Sequence, residues 1–149
     1  MENLKLQKGA AAVEFALLLP ALSVLAFGII EFSLFLYDQQ MITNASREGA
    51  RAGIVSSPVA LTDGEIITVV DNYVSGNLIT FSTVNSATTT IEREGLAFGD
   101  DLTVVVTYPY QFLLFPALVT NLMGVTTDGT LNLVATTVMK MEGSGPLPP

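Results

Sequence analysis

Glu14 poses the clearest chemical problem in this sequence. It stands near the head of an apolar stretch, residues 9–37, in which no charge occurs from Phe15 to Ile30. A carboxylate inside a bilayer costs on the order of 2.5–3.5 kcal/mol at mid-depth and less near the edge. Such a group needs water or a cation. Lys8 is the nearest cation before it, and the next Lys or Arg is Arg47. Two readings stay open from the residues alone. Either Glu14 lies at the headgroup boundary and is hydrated, or its partner is created by cutting the chain ahead of it.

No other constellation points to reactive chemistry. The chain has neither Cys nor His, which excludes disulfides, thiol chemistry, imidazole bases and the usual zinc sites. Ser and Thr are the remaining nucleophiles, with no His to activate them and nothing like Ser-x-x-Lys. Asp100, Asp101 and Asp128 lack the spacing of a calcium loop and read better as turn acids. Glu92-Arg93-Glu94 reads as a solvated strand end, and no phosphate-binding Gly-rich loop is present. The formal net charge of −8 argues against a nucleic-acid partner. No cofactor, no small-molecule substrate and no enzyme activity are expected.

The elements that position Glu14 follow from the hydrophobic pattern. Half of the 149 residues are hydrophobic, and residues 9–37 supply much of that share. From Gly9 to Ile30 the run measures roughly 33 Å as a helix, against a hydrocarbon core of about 30 Å. Residues 1–9 read as a basic leader and residues 10–37 as a membrane helix. Lys5 and Lys8 favour a cytoplasmic N-terminus. Pro20 removes one helical hydrogen bond and predicts a kink or local opening. Glu31 marks the far boundary, with Tyr37 beyond it as an interfacial anchor. Residues 38–57 continue the helix outside the membrane. There Ala45, Gly49 and Gly53 form a small-residue ridge that could face either this chain's own domain or another subunit. Asn44, Arg47, Glu48 and Arg51 cover its other sides and read as solvated. Ser56-Ser57-Pro58 ends it.

Residues 58–142 predict a small α+β domain. Thr62 and Glu65 have capping-box spacing. Ile66, Val69, Val70, Tyr73 and Val74 then follow on one face of a short helix over 62–76, with Gly76-Asn77 as its stop. Residues 79–84 are ambiguous. Strands are expected over 87–93, 102–108 and 131–141, in a roughly three-stranded antiparallel sheet. Pro109 should limit the second of them. Residues 112–125 are apolar but too short to span, which suggests a loop or short helix under the domain, touching lipid. Thr127-Asp128-Gly129 is a turn, and residues 143–149 read as a disordered tail.

Two sets of residues carry a resemblance. Lys8-Gly9 precedes Ala10, and Glu14 is the fifth residue counted from Ala10. This is similar to the processing site of type IV pilins and pseudopilins, where a prepilin peptidase cuts after glycine and the fifth mature residue is Glu. More widely, residues 9–20, 27–32 (Phe-Gly-Ile-Ile-Glu-Phe) and 43–51 (Thr-Asn-Ala-Ser-Arg-Glu-Gly-Ala-Arg) resemble the TadE-like family, pseudopilins of the tight-adherence (Tad) apparatus that builds type IVb Flp pili. Residues 104–110 and the last strand look similar more loosely. The resemblance implies cleavage between Gly9 and Ala10, a role for Glu14 in subunit pairing, and a minor pilin or pseudopilin in the inner membrane with its domain outside. It makes the prepilin peptidase, other pilins and Tad assembly components the partners. Pro20, Glu31, Arg47, Glu48 and Arg51 lie in the matching motifs without an assigned role. An uncleaved single-pass anchor whose outer domain binds an envelope or secretion component is the alternative.

Overall fold

One helix, α1, runs from Glu2 to Ile54, 53 residues or about 80 Å at 1.5 Å per residue. The computed structural model describes residues 2–55, 61–79, 86–114, 116 and 129–142, with backbone alone for 2–8. Leu, Ala and Met favour the helical state along most of α1, and the helix continues through Pro20. Its last carbonyls would be orphaned at Ile54. The Glu142 amide donates to the Ile54 carbonyl at 3.2 Å, and Arg51 in the last turn suits the negative end of the helix dipole. Residues 56–60, which contain the expected stop, lie outside the described residues.

The second helix, α2 (Asp63–Val74), begins at the capping box read from the sequence. The Thr62 amide donates to the Glu65 carboxylate at 2.8 Å, and the Glu65 amide returns to the Thr62 hydroxyl at 3.4 Å. The bond from the Thr62 amide and a second one, donated by the Thr62 hydroxyl to the same carboxylate at 2.8 Å, favour its ionised form, so the Glu65 pKa lies below its ordinary value. Ile66, Val70 and Val74 are buried, whereas Tyr73 reaches solvent. Ser75 caps the C-terminus and Gly76 follows with φ +75°, a conformation that suits glycine.

Three antiparallel strands, β1 (Thr88–Arg93), β2 (Asp101–Gln111) and β3 (Thr130–Lys140), form a sheet in chain order with β2 central. Alternation along β2 buries Leu102, Val104, Val106, Tyr108 and Tyr110 against the helices. Their partners Met139, Thr137, Ala135, Leu133 and Leu131 in β3 share that face. The β2 strand runs past Pro109, contrary to the sequence expectation. Pro109 pairs with Asn132, but β1 pairing ends at Thr88 opposite Thr107. Among the described residues, β2 is therefore paired on one side only at Pro109, where a missing N–H is tolerated.

The ridge on α1 faces this chain's own domain. Ile42, Ala45 and Ala50 are fully buried in one core with Ile66, Val70, Leu102 and Val104. A Cβ at Gly49 would stand 2.5 Å from Val70 Cγ2, and one at Gly53 would stand 2.5 Å from both Ile66 Cδ1 and Leu102 Cδ2. The glycines thus allow α2 and β2 to approach the helix backbone. Arg93 corrects a second expectation. Its side chain is only 14% exposed and ties β1 to the start of α2, through Asp63 at 2.5 Å and the Leu61 carbonyl at 2.7 Å. Glu92 and Glu94 on either side are exposed, as expected. Residues 80–85, 115, 117–128 and 143–149 lie outside the described residues, so the expectations for 79–84, for most of 112–125 and for the tail concern segments of which nothing further is said.

Candidate functional site

Among the described residues, the stretch of α1 from Gly9 to Ile30 packs against no other element. Every residue from Gly9 to Ile30 is exposed except Ser23, which is half-buried. Leu17 reaches 75% exposure, at odds with a soluble core helix. Ser23, the one hydroxyl between Gly9 and Ile30, and Ser33 just beyond are both satisfied within the helix. Ser23 Oγ donates to the Leu19 carbonyl at 2.8 Å, and Ser33 Oγ donates to the Ile29 carbonyl at 2.7 Å. The surface therefore makes little polar demand on an apolar surrounding. Among the described residues this is the one helix long and apolar enough to cross a membrane.

Gly9, Ala10 and Glu14 all lie on this bare half. Ala10 and Glu14 are four apart, on one helix face, and helical side chains lean toward the N-terminus. The Glu14 carboxylate thus leans toward the turn that holds the Ala10 nitrogen. Glu14 has no hydrogen-bonding partner among the described residues. A Cβ at Gly9 would meet no atom within 4 Å, so packing within this chain does not require glycine there. Glycine does make the helix easiest to open locally, at about 1 kcal/mol relative to Ala. Pro20, also exposed, lies mid-stretch.

Glu31 ends the bare stretch, and its side chain turns inward to the head. The residue is 6% exposed. Its Oε1 accepts the amides of Leu113 and Leu114, the second at 3.0 Å. Tyr110 Oη donates to the Glu31 backbone carbonyl at 3.3 Å. Burial first, then the Glu31 and Asp38 carboxylates, push the Tyr110 pKa up to about 12, which keeps the hydroxyl a donor. Around this junction Phe35 stacks on Phe32 and Phe112, and Tyr110 meets Phe35 and Phe112 edge-on, with ring centroids 5.0–5.9 Å apart. Two turns further on, Asp38 is fully buried and Oδ1 accepts the Ile79 amide at 2.9 Å. Oδ2 has no hydrogen-bond partner among the described residues. Burial outweighs the Ile79 bond and raises the Asp38 pKa.

Above Asp38 the helix is fastened along β3. Gln39 Nε2 donates to the Val134 carbonyl at 3.2 Å. Ser46 gives its one proton to the Thr43 carbonyl at 2.9 Å, so Thr137 is the donor in the 2.7 Å bond between the Ser46 and Thr137 hydroxyls. Arg47 is exposed, and Glu48 and Arg51 form an open i,i+3 pair at 3.6 Å, which agrees with the solvated reading and contributes little stability.

The sequence reading singled out Glu14 and Glu31 but missed Tyr110, Leu113, Leu114 and Asp38 as partners in the junction. The available signal was an acid at each end of the apolar run, each needing a donor. The donors themselves are remote in sequence. Among the described residues no group of three or more His, Asp or Glu is placed to hold a metal. Asp100 Oδ2 accepts the Ala97 amide at 2.8 Å and Asp101 pairs with Lys140 at 2.5 Å, as turn and strand-end acids do.

The molecule is thus an α+β protein with a bare apolar stem, suited to single-pass membrane anchoring, and a head built on the stem's far half. The family model for TadE-like protein matches residues 9–51, the same stretch that carries the resemblance by motif. The match takes in the whole bare stem, the Glu31 junction and most of the buried ridge, and stops before α2 and the sheet. No curated protein and no solved structure matches the chain significantly.

Proposed function

We propose that this chain is a minor pilin or pseudopilin that takes part in assembling a Tad-type IVb pilus, and that it has no enzymatic activity. The observation that carries this reading is the bare stem from Gly9 to Ile30, with Glu14 near its start and without a partner among the described residues, inside the TadE-like match. In the bilayer the stem stores the subunit, with its N-terminus on the cytoplasmic side and its head on the outer face of the inner membrane. A prepilin peptidase cuts between Gly9 and Ala10, where glycine makes the helix easiest to open. The new Ala10 amine is largely protonated at neutral pH. It pairs with Glu14 of its own or a neighbouring stem, so that neither charge is buried alone when the stem leaves lipid for a bundle of like helices.

The test is the mature N-terminus combined with two variants. Protein sequencing is expected to begin at Ala10, and Gly9→Leu is expected to leave a precursor longer by the leader. Glu14→Ala should insert and fold normally but lose pilus assembly. A working protein that keeps residues 1–9 would replace this reading with that of an uncleaved anchor.

A further inference from the structure

We infer that the start of the β2–β3 connection, Leu113 and Leu114, is a second membrane contact that rests the head on the lipid surface. This rests on the anchoring reading of the stem. The position of these leucines along the stem is fixed by Glu31, the first charge after the apolar run, whose carboxylate holds both of their amides. Their side chains nevertheless remain 56% and 41% exposed. Two adjacent leucines held out of the core at the level where the apolar stem ends form a surface continuous with the stem's own lipid face.

The surroundings fit the same partner. Phe32, on the stem beside Glu31, is 57% exposed, and its ring stacks on Phe35, which in turn stacks on Phe112. A pocket of about 250 Å³ opens between Gly28, Glu31, Phe32 and Phe112 on the stem side of this stack. Aromatic rings and aliphatic side chains at one level of a membrane helix match the bilayer interface, where an apolar body meets polar headgroups. The amides of Leu113 and Leu114 would be costly so close to hydrocarbon if they were unsatisfied. Glu31 satisfies both and lets the leucine side chains approach lipid. The occupant is therefore the acyl-headgroup boundary of the bilayer that holds the stem.

The chain contains no tryptophan, so single tryptophans report position without background. Leu113→Trp, Leu114→Trp, Leu22→Trp and Phe98→Trp are made in the full chain. Each is reconstituted in phosphatidylethanolamine–phosphatidylglycerol vesicles carrying lipids brominated either high or low on the acyl chain. Phe98, 83% exposed in the turn before β2, serves as the head control. Met141 pairs with that turn, and the neighbouring Glu142 reaches the far end of α1. The expected result is loss of Leu113→Trp and Leu114→Trp emission to the high bromines, loss of Leu22→Trp emission to the low ones, and none for Phe98→Trp. If both junction tryptophans escape quenching while Leu22→Trp is quenched, the head does not touch lipid and only this inference falls. If Leu22→Trp also escapes, the anchoring reading falls and the lipid contact falls with it.

Discussion

The two halves of α1 use the same small residues for opposite ends. Gly9 and Gly28 lie on the bare half, and a Cβ at either would meet nothing within 4 Å. Gly49 and Gly53 lie on the seated half, where a Cβ would drive into Val70 or into Ile66 and Leu102. The acids divide in a similar way. Glu14 is exposed and lacks a partner among the described residues, whereas Glu31 and Asp38 are buried, Glu31 accepting two amides from the head and Asp38 one. One half of the helix is finished within this chain. The other is left uncovered among the described residues, and the proposed function rests on that uncovered half.

The comparison breaks most sharply at the glycines. Gly49→Val should destabilise the head by about 2–3 kcal/mol, the usual cost of overpacking a tight core, since its nearest neighbour is a β-branched side chain with little freedom to turn. Gly53→Ala should cost less, because it adds a single methyl and the nearest atoms it meets, Ile66 Cδ1 and Leu102 Cδ2, are the far ends of their side chains. Gly28→Ala should leave the melting temperature of the detergent-solubilised protein unchanged or slightly raised. Equal effects at Gly28 and Gly49 in thermal melts would erase the distinction between the halves.

Next in size is Glu31→Ala, which strips two half-buried amides and the loop they belong to of their acceptor. A loss of about 2 kcal/mol is expected, with hydrogen exchange rising first at Leu113 and Leu114. Glu31→Gln keeps one oxygen and should recover part of that protection. Unchanged exchange in both variants would mean that the junction is held by its aromatic rings alone.

The smallest effect lies in the pH dependence. Asp38 binds its proton more readily folded than unfolded, so stability rises as the pH falls through its raised pKa. Glu65 does the reverse. Its contribution is complete above the ordinary Glu range and is lost as the pH falls through its lowered value. Melting temperature should therefore climb slightly on mild acidification before it drops. Asp38→Asn should abolish the climb and Glu65→Gln should blunt the drop; a monotonic curve in the parent protein would contradict the buried position of Asp38.

Near-neighbour chemistry was legible in the sequence. The unbroken apolar run, the Thr62–Glu65 box and the β-branched strands each depend on residues within a few positions, and all three appear where the pattern put them. Pro109 was misread because a strand's tolerance of proline depends on whether a neighbour pairs there, and that is a property of the sheet. Arg93 was misread because its carboxylate partner lies 30 residues away.

What the sequence determined by itself is that the first 30 or so residues make a greasy helix with an acid near its head and another at its foot, since length, apolarity and missing charge need no partner to be read. Only the tertiary structure decided which way the Ala45–Gly49–Gly53 ridge faces and what Glu31 holds. The amides that Glu31 binds are 82 and 83 residues downstream. A bond closed across such a distance is selected by the packing of the whole core around it, and no local periodicity records that choice.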